Sequence, residues 1–364
     1  MTFIFSNWQR VAVLSHSFFL GKKRIEGCST ESLDGLRGMA AMGVVLEHLS
    51  AHGVNILPFL DFQNTSLGRA GVYLFFVLSS FLLTGKFFKQ DTLNVRDGGM
   101  WVNYAWRRAA RICPAYIFLL LVYTIFPSFR YDSGDFLKHV FFIEGRGHFW
   151  TIPVEVFFYL AIPVVVSVIV CLLKKSVLYS CIVLVLLECV VYSFGLAYQL
   201  PVDGSTPSLF PFLPAFLMGA LAALVNTKMM PNYELIKEKW GVILEFCSLI
   251  ILFLVGVQTF YLYEWVSEPL AIVTYGVLWS SLLLTMLYSK GFLKKIFSTN
   301  GLRFLGAISF GIYLWHVAIL GYLDAHIDAS SSIKFIAIVL TTLVVAIFSY
   351  ALIERPFIKL KLSV

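Results

Sequence analysis

Charge is scarce in this chain. Of its 364 residues only 13% are Asp, Glu, Lys or Arg, while 59% are hydrophobic, and mean hydropathy is +0.82. A soluble domain carries about 25% charged residues. The composition therefore excludes an ordinary soluble enzyme or binding module and reads as an integral membrane protein. Cysteine offers no metal chemistry. The six cysteines show neither CxxC nor metal-ligand spacing, and no metal or disulfide framework is expected. Cys113, Cys171, Cys181, Cys189 and Cys247 lie in or beside apolar runs, where cysteine acts as a small hydrophobe. A soluble domain and an internal repeat are also lacking. The net charge of +7 would suggest nucleic acid in a soluble protein. Here it reads as basic cytoplasmic loops, and no nucleic-acid partner is expected.

What the chain has is apolar runs of near-spanning length. Ten are expected, at about 35–52, 69–88, 112–128, 149–173, 177–199, 208–226, 241–262, 268–289, 302–323 and 333–353. With the N-terminus inside, all but five of the 28 Lys and Arg fall on the cytoplasmic side, the exceptions being Arg69, Arg130, Lys138, Arg146 and Lys334. An odd number of spans would destroy that bias, so the expectation is an all-α membrane protein of about ten helices with both termini cytoplasmic. Residues 1–33 read as a cytoplasmic arm, 34–358 as the membrane domain and 359–364 as a tail. Within the arm, Val11 to Leu20 is too short to span and is interrupted by His16. With only Arg10 before it and no small-residue cleavage site, it lacks a signal-peptide layout.

The first membrane segment carries the charge that the rest avoids. Ser32 to His48 reads SLDGLRGMAAMGVVLEH, with Asp34, Arg37, Glu47 and His48. Each ionisable group in a bilayer costs roughly 2.5–3.5 kcal/mol on insertion scales, which makes it a functional candidate. Arg37 and His48 are eleven residues apart, so they share one helix face and stand about 16 Å apart along the axis. Asp34 lies on that face too, whereas Glu47 points about 100° from His48 and is poorly placed to orient it. Arg37 near the headgroups can alternatively snorkel.

Further polar groups recur on later segments. Ser79 and Ser80 lie at mid-depth in YLFFVLSSFLLTG, where small hydroxyl residues serve helix packing or close approach of a substrate. Arg107, Arg108 and Arg111 lie in WRRAARICPAY, read as the end of a basic cytoplasmic loop just before the third span. Arginine forks suit phosphate oxygens, and positive-inside anchoring is the plainer reading. HFWTIPVEVFFYL enters from the outer side, with Thr151, Glu155 and Tyr159 forming one stripe. Glu155 is expected to reach the depth of His48 and fix its tautomer, or else to pair with Arg69 or Arg146 at the rim. In SFGIYLWH, Ser309, Tyr313 and His316 share a face. IERPF is read as a helix stop, with Glu354 and Arg355 at the cytoplasmic surface.

Together these stretches resemble acyltransferase family 3, membrane proteins that O-acylate bacterial surface glycans and related molecules. LDGLRGMAAMGVVLEH is similar to the family's first-helix signature, with ten residues between the Arg and the His. YLFFVLSSFLLTG resembles its second-helix motif, RRAARICPAY its paired-arginine motif, FWTIPVEVFFY its Trp-and-Glu motif, and YLWH and IERPF its late motifs. The likeness runs from about residue 32 to residue 358 and departs at Ser80, where the family usually has glycine. The resemblance implies transfer of an acyl group, usually acetyl from cytosolic acetyl-CoA, to a hydroxyl of an extracytoplasmic glycan or glycolipid such as lipopolysaccharide, across a bacterial inner membrane. It assigns function to His48, Arg37, Arg108 and Arg111. No further domain follows in this sequence, so transfer is expected within the membrane part.

The residues then divide by expected role. His48, with Arg37 and Glu155, is expected at the chemistry, His48 as general base. Arg107, Arg108, Arg111 and Arg37 would hold the acyl-CoA donor, and Asp34, Ser79, Ser80, Tyr313 and His316 would line the substrate path. Beyond these substrates only membrane lipids are expected as partners. The rival reading is a proton-coupled transporter or exporter, since buried Arg, Glu and His also build proton relays.

Overall fold

The computed structural model describes residues 24–25, 28–57, 59–90, 93–126, 131–198 and 207–360. Arg130, Asp203 and most of the arm lie outside the described residues. Apart from a two-residue antiparallel ladder, Arg24–Ile25 with Cys28–Ser29, the described chain is helical. Each of the ten apolar stretches overlaps a helix among the described residues, and shorter helices lie between them. In chain order these are α1 (Glu31–Ala51), α2 (Leu67–Phe88), α3 (Gly98–Ile125), the short α4 (Ser133–Val140), α5 (Thr151–Ser167), α6 (Val177–Tyr198), α7 (Leu213–Met229), α8 (Tyr233–Phe260) and α9 (Glu268–Tyr288). Two short helices, α10 (Phe292–Phe297) and α11 (Asn300–Ala307), then lead to α12 (Ser309–His326), α13 (Ser331–Phe348) and α14 (Arg355–Lys359).

Seven stretches among the described residues are long and apolar enough to cross a membrane, or eight if α11 and α12, bent by 70°, count as one span. Helix α1 is absent from that set because it carries Glu31, Asp34, Arg37 and Glu47. One of the seven is the 51-residue stretch Phe210–Phe260, which contains both α7 and α8.

Helix α3 differs from the expected third segment. It begins at Gly98, where Asp97 accepts hydrogen bonds from the Gly99 and Met100 N–H groups at 2.9 and 3.3 Å. Its first turns are polar, without an apolar period, and so read as loop. They pack instead on the end of α2, with Trp101 and Phe87 ring centroids 5.0 Å apart. The arginine cluster consequently lies three turns inside a helix rather than ahead of one.

Helices in a bilayer gain little from hydrophobic burial against one another, so close packing of small residues holds them together. On α1, a Cβ at Gly35 or Gly38 would overlap backbone atoms of Phe297 and Leu302, and one at Gly306 of α11 would overlap the Asp34 carbonyl. Helices α1 and α11 therefore touch backbone to backbone. On α7, Gly219 lies equally close to Val77 of α2 and leaves room for the Ser80 side chain. Ser80 itself is fully buried. Its hydroxyl is spent on this helix contact, with no partner, and does not face the Ser79 cluster.

Two loop contacts join stretches that were expected on the same side. Lys175 Nζ donates to the Phe88 and Gln90 carbonyls at 3.1 and 2.6 Å, tying two loops expected inside. Ser331 Oγ donates to the Gly53 and Asn55 carbonyls at 3.1 and 3.0 Å, tying two expected outside. Beyond α13 the helix widens into π turns over Ser349–Glu354 before Pro356.

Candidate functional site

The polar side chains gather in two groups at different depths. The outer group is built on three histidines. His48 Nδ1 lies 2.8 Å from the Val44 carbonyl. A carbonyl only accepts, so the proton sits on Nδ1 and Nε2 is bare. The His48 ring lies 5.0 Å from that of His316 at 73°, and His316 lies 5.3 Å from His148. His316 Nδ1 donates to the Tyr313 carbonyl at 2.7 Å, which leaves its buried Nε2 without a partner. His148 Nε2 donates to the Leu314 carbonyl at 3.2 Å. Tyr313 donates its hydroxyl proton to the His148 carbonyl and accepts from Thr151 Oγ1 at 2.7 Å.

The inner group centres on Glu155. Its Oε1 accepts from Ser79 Oγ at 2.6 Å and from the Tyr159 hydroxyl. Tyr104 donates to the Tyr159 carbonyl at 3.2 Å, and the Arg108 guanidinium lies 5.9 Å from the Tyr159 ring centroid. Arg37 is 3.9 Å from Asp34 and within electrostatic range of Glu155, Tyr159 and Arg111. Arg108 Nε is buried without a partner. Arg107 is exposed and donates to Asn103 on its own helix at 3.0 Å.

This geometry separates residues that the sequence reading joined. Glu155 does not meet His48. Glu47, beside His48, accepts from the Gly68 N–H at 2.7 Å, and Ser79 lies eleven residues further along α2, about 16 Å deeper. Glu155 therefore belongs to the Arg37 level, and a backbone carbonyl, not a carboxylate, fixes the His48 tautomer. Nor does Glu155 pair at the rim. Arg69 pairs with Glu268 at 2.5 Å, and Arg146 with Asp135 and Glu144 at 3.4 and 3.3 Å. Glu354 is not at the surface but fully buried.

The two groups are joined by one turn of α5. Thr151 belongs to the outer group and Glu155, four residues on, to the inner one, about 6 Å apart along the axis. Tyr313 is within electrostatic range of Glu155. A row of polar groups thus runs from the histidines past Tyr313, Thr151 and Glu155 toward Arg37, Arg108 and Arg111. His148 was missed because it sits in a loop-like stretch before the helix. Its spacing of three to Thr151 was the available signal.

Among the described residues, no group of three or more His, Cys, Asp or Glu is arranged to hold a metal ion. A family model described as an acyltransferase domain matches residues 30–353. The chain is 26% identical over 367 residues to a Staphylococcus aureus (strain COL) protein provisionally named an O-acetyltransferase, covering 90% of this chain and 57% of that protein. It is 26% identical over 373 residues to the peptidoglycan O-acetyltransferase OatA of Listeria monocytogenes, covering 90% of this chain and 56% of that one. The O-acetyltransferase OatA of S. aureus strain NCTC 8325 is 24% identical over 372 residues, with 90% and 57% covered. The chain thus spans little more than half the length of these relatives. No solved structure matches it.

Proposed function

The chain belongs to this family of membrane acyltransferases, and from that premise we propose that it moves an acyl group, acetyl in the first instance, from cytosolic acyl-CoA to a hydroxyl on an extracytoplasmic glycan. The observation that carries the reading is the row of polar groups linking an arginine cluster at one depth to a bare imidazole nitrogen about 16 Å away. Transfer between a cytosolic donor and an external acceptor needs such a path, because neither substrate crosses apolar lipid unaided.

In this reading the donor phosphates bind Arg108 and Arg111, where planar guanidinium groups give charge-assisted, bidentate contacts. The unpartnered Arg108 Nε suits an added acceptor. The arm of the donor passes Arg37, Glu155 and Ser79 and brings the thioester to His48. His48 Nε2 takes the proton of the acceptor hydroxyl as its oxygen attacks the carbonyl carbon. The tetrahedral intermediate expels coenzyme A thiolate, and His48 returns the proton to that sulfur. Tyr313 would serve as an oxyanion donor by turning its hydroxyl proton away from the His148 carbonyl.

The reading takes ten spans with both termini inside. The stretch Phe210–Phe260 has 51 residues, about 77 Å of helix against a hydrocarbon core of about 30 Å, so α7 and α8 cross separately. Helix α1 is set apart by its charges, two of which, Asp34 and Arg37, belong to the site.

Purified protein in nanodiscs, given acetyl-CoA and a soluble glycan acceptor, tests the function. Free thiol and acetylated glycan should appear together and depend on His48. A transporter would carry substrate without releasing thiol.

A further inference from the structure

Glu354 is a buried acid that nothing above employs. It has 0% exposure, and neither carboxylate oxygen has a hydrogen-bond partner. It closes the π turns Ser349–Glu354, which pack against α3. Arg111 of α3 is within electrostatic range, and Arg108, one turn away, also keeps a buried unpartnered nitrogen. The Ser349 hydroxyl lies beside it without reaching hydrogen-bond geometry. Burying polar groups without partners is expensive, and π turns inside helices concentrate at functional sites. The arrangement suits a ligand that brings both acceptors for the arginines and a donor for the carboxylate.

Exposure indicates which part of the ligand meets Glu354. Arg107 is exposed, Arg108 and Arg111 are half-buried, and Glu354 is wholly enclosed. A charged nucleotide stays at the wet end of that gradient. The part that enters the bundle is the pantetheine arm, whose secondary amide N–H groups lose water there and need acceptors. We propose that Glu354 accepts a hydrogen bond from a pantetheine amide N–H of the donor, beside the arginines that hold its phosphates. This rests on the acyl-CoA reading above and adds a subsite to it.

Calorimetry on the full chain in nanodiscs tests it, with two fragments of coenzyme A as probes: 4′-phosphopantetheine, and adenosine 3′,5′-bisphosphate. Glu354→Leu should weaken phosphopantetheine by about tenfold or more, Glu354→Gln, which keeps an amide oxygen as acceptor, by less, and both should leave the bisphosphate within about twofold. The ligand-free melting temperature should hold or rise, because a buried carboxyl group without hydrogen-bond partners is removed. Unchanged phosphopantetheine affinity in both variants overturns the proposal. So do equal losses for both fragments with a lowered melting temperature, and so does a wild type that ignores phosphopantetheine. Arg108→Ala separates the two levels of inference. If it leaves coenzyme A binding intact, the donor site itself is misplaced. If it weakens binding while the Glu354 variants do not, only the subsite fails.

Discussion

Replacing His48 by glutamine removes one bare nitrogen and keeps a polar side chain of similar reach. In the wild type the Nδ1 proton is committed to Val44 at 2.8 Å, so Nε2 is free to accept a proton. A glutamine amide cannot take that proton near neutral pH. General base catalysis contributes roughly 10²–10⁴-fold, equivalent to about 2.7–5.4 kcal/mol at 1.36 kcal/mol per tenfold. The structural cost is smaller, since a typical substitution destabilises by about 1 kcal/mol. The ring makes one local hydrogen bond and one edge contact, with His316 at 5.0 Å. Rate and folding should therefore separate. At matched levels of folded protein in nanodiscs, His48→Gln should lower thiol release from acetyl-CoA by at least a hundredfold. Coenzyme A affinity should hardly change, because Arg108 and Arg111 lie toward the Arg37 end of α1, about 16 Å from His48 along that helix. His316→Ala should lower the rate far less. If His48→Gln keeps near wild-type turnover while His316→Ala abolishes it, the base is on α12 and the mechanism is wrong.

Three further outcomes are expected. Arg108→Ala and Arg111→Ala should each weaken coenzyme A by roughly ten- to a hundredfold by calorimetry, a charge-assisted contact being worth about 1.5–3 kcal/mol, and lysine should restore only part of this. A single cysteine near Asp328 should react with an impermeant reagent in intact cells, whereas one near Lys175 or Lys294 should not; the converse pattern refutes the orientation. Outside the membrane, His139 is buried, with Nδ1 donating to the Asp135 carbonyl at 2.9 Å and Nε2 accepting from the Arg146 N–H at 3.2 Å. Burial holds its pKa below the ordinary histidine value, so below about pH 6.5 the unfolded chain takes up a proton that the folded chain resists. Thermal stability should fall between pH 7.5 and 5.5, and fall less steeply in His139→Gln.

Much of the helix inventory was legible because apolar run length is a strong signal in a membrane chain. So was the pairing of Arg37 with His48 on one face, which follows from helix geometry alone. Depth was less legible. Entering α5 from the outer side suggested that Glu155 meets His48, but the offset between neighbouring helices depends on which residues touch. Here Glu47 bonds Gly68, and that single register places Ser79 and Glu155 with the arginines. The polar start of α3 hid its helicity, since its period is set by contact with Phe87 and not by apolar repetition. Glu354 was misplaced because Arg355 and Pro356 beside it signal a helix end at the surface. The π turns that carry it into the interior have no sequence mark of their own.

The backbone contact of Gly35 and Gly38 with α10 and α11 makes α1 a measuring rod. Its Gly35–Gly38 end is pinned, so the height of His48 is counted out in residues from that clamp. Inserting or deleting one residue between Gly38 and Glu47 would swing His48 by about 100° and shift it by about 1.5 Å, away from His316, with every functional side chain still present. Substitutions along this stretch can be absorbed wherever volume permits. Its length has no such latitude, and the ten residues between Arg37 and His48 act as a dimension of the fold in their own right.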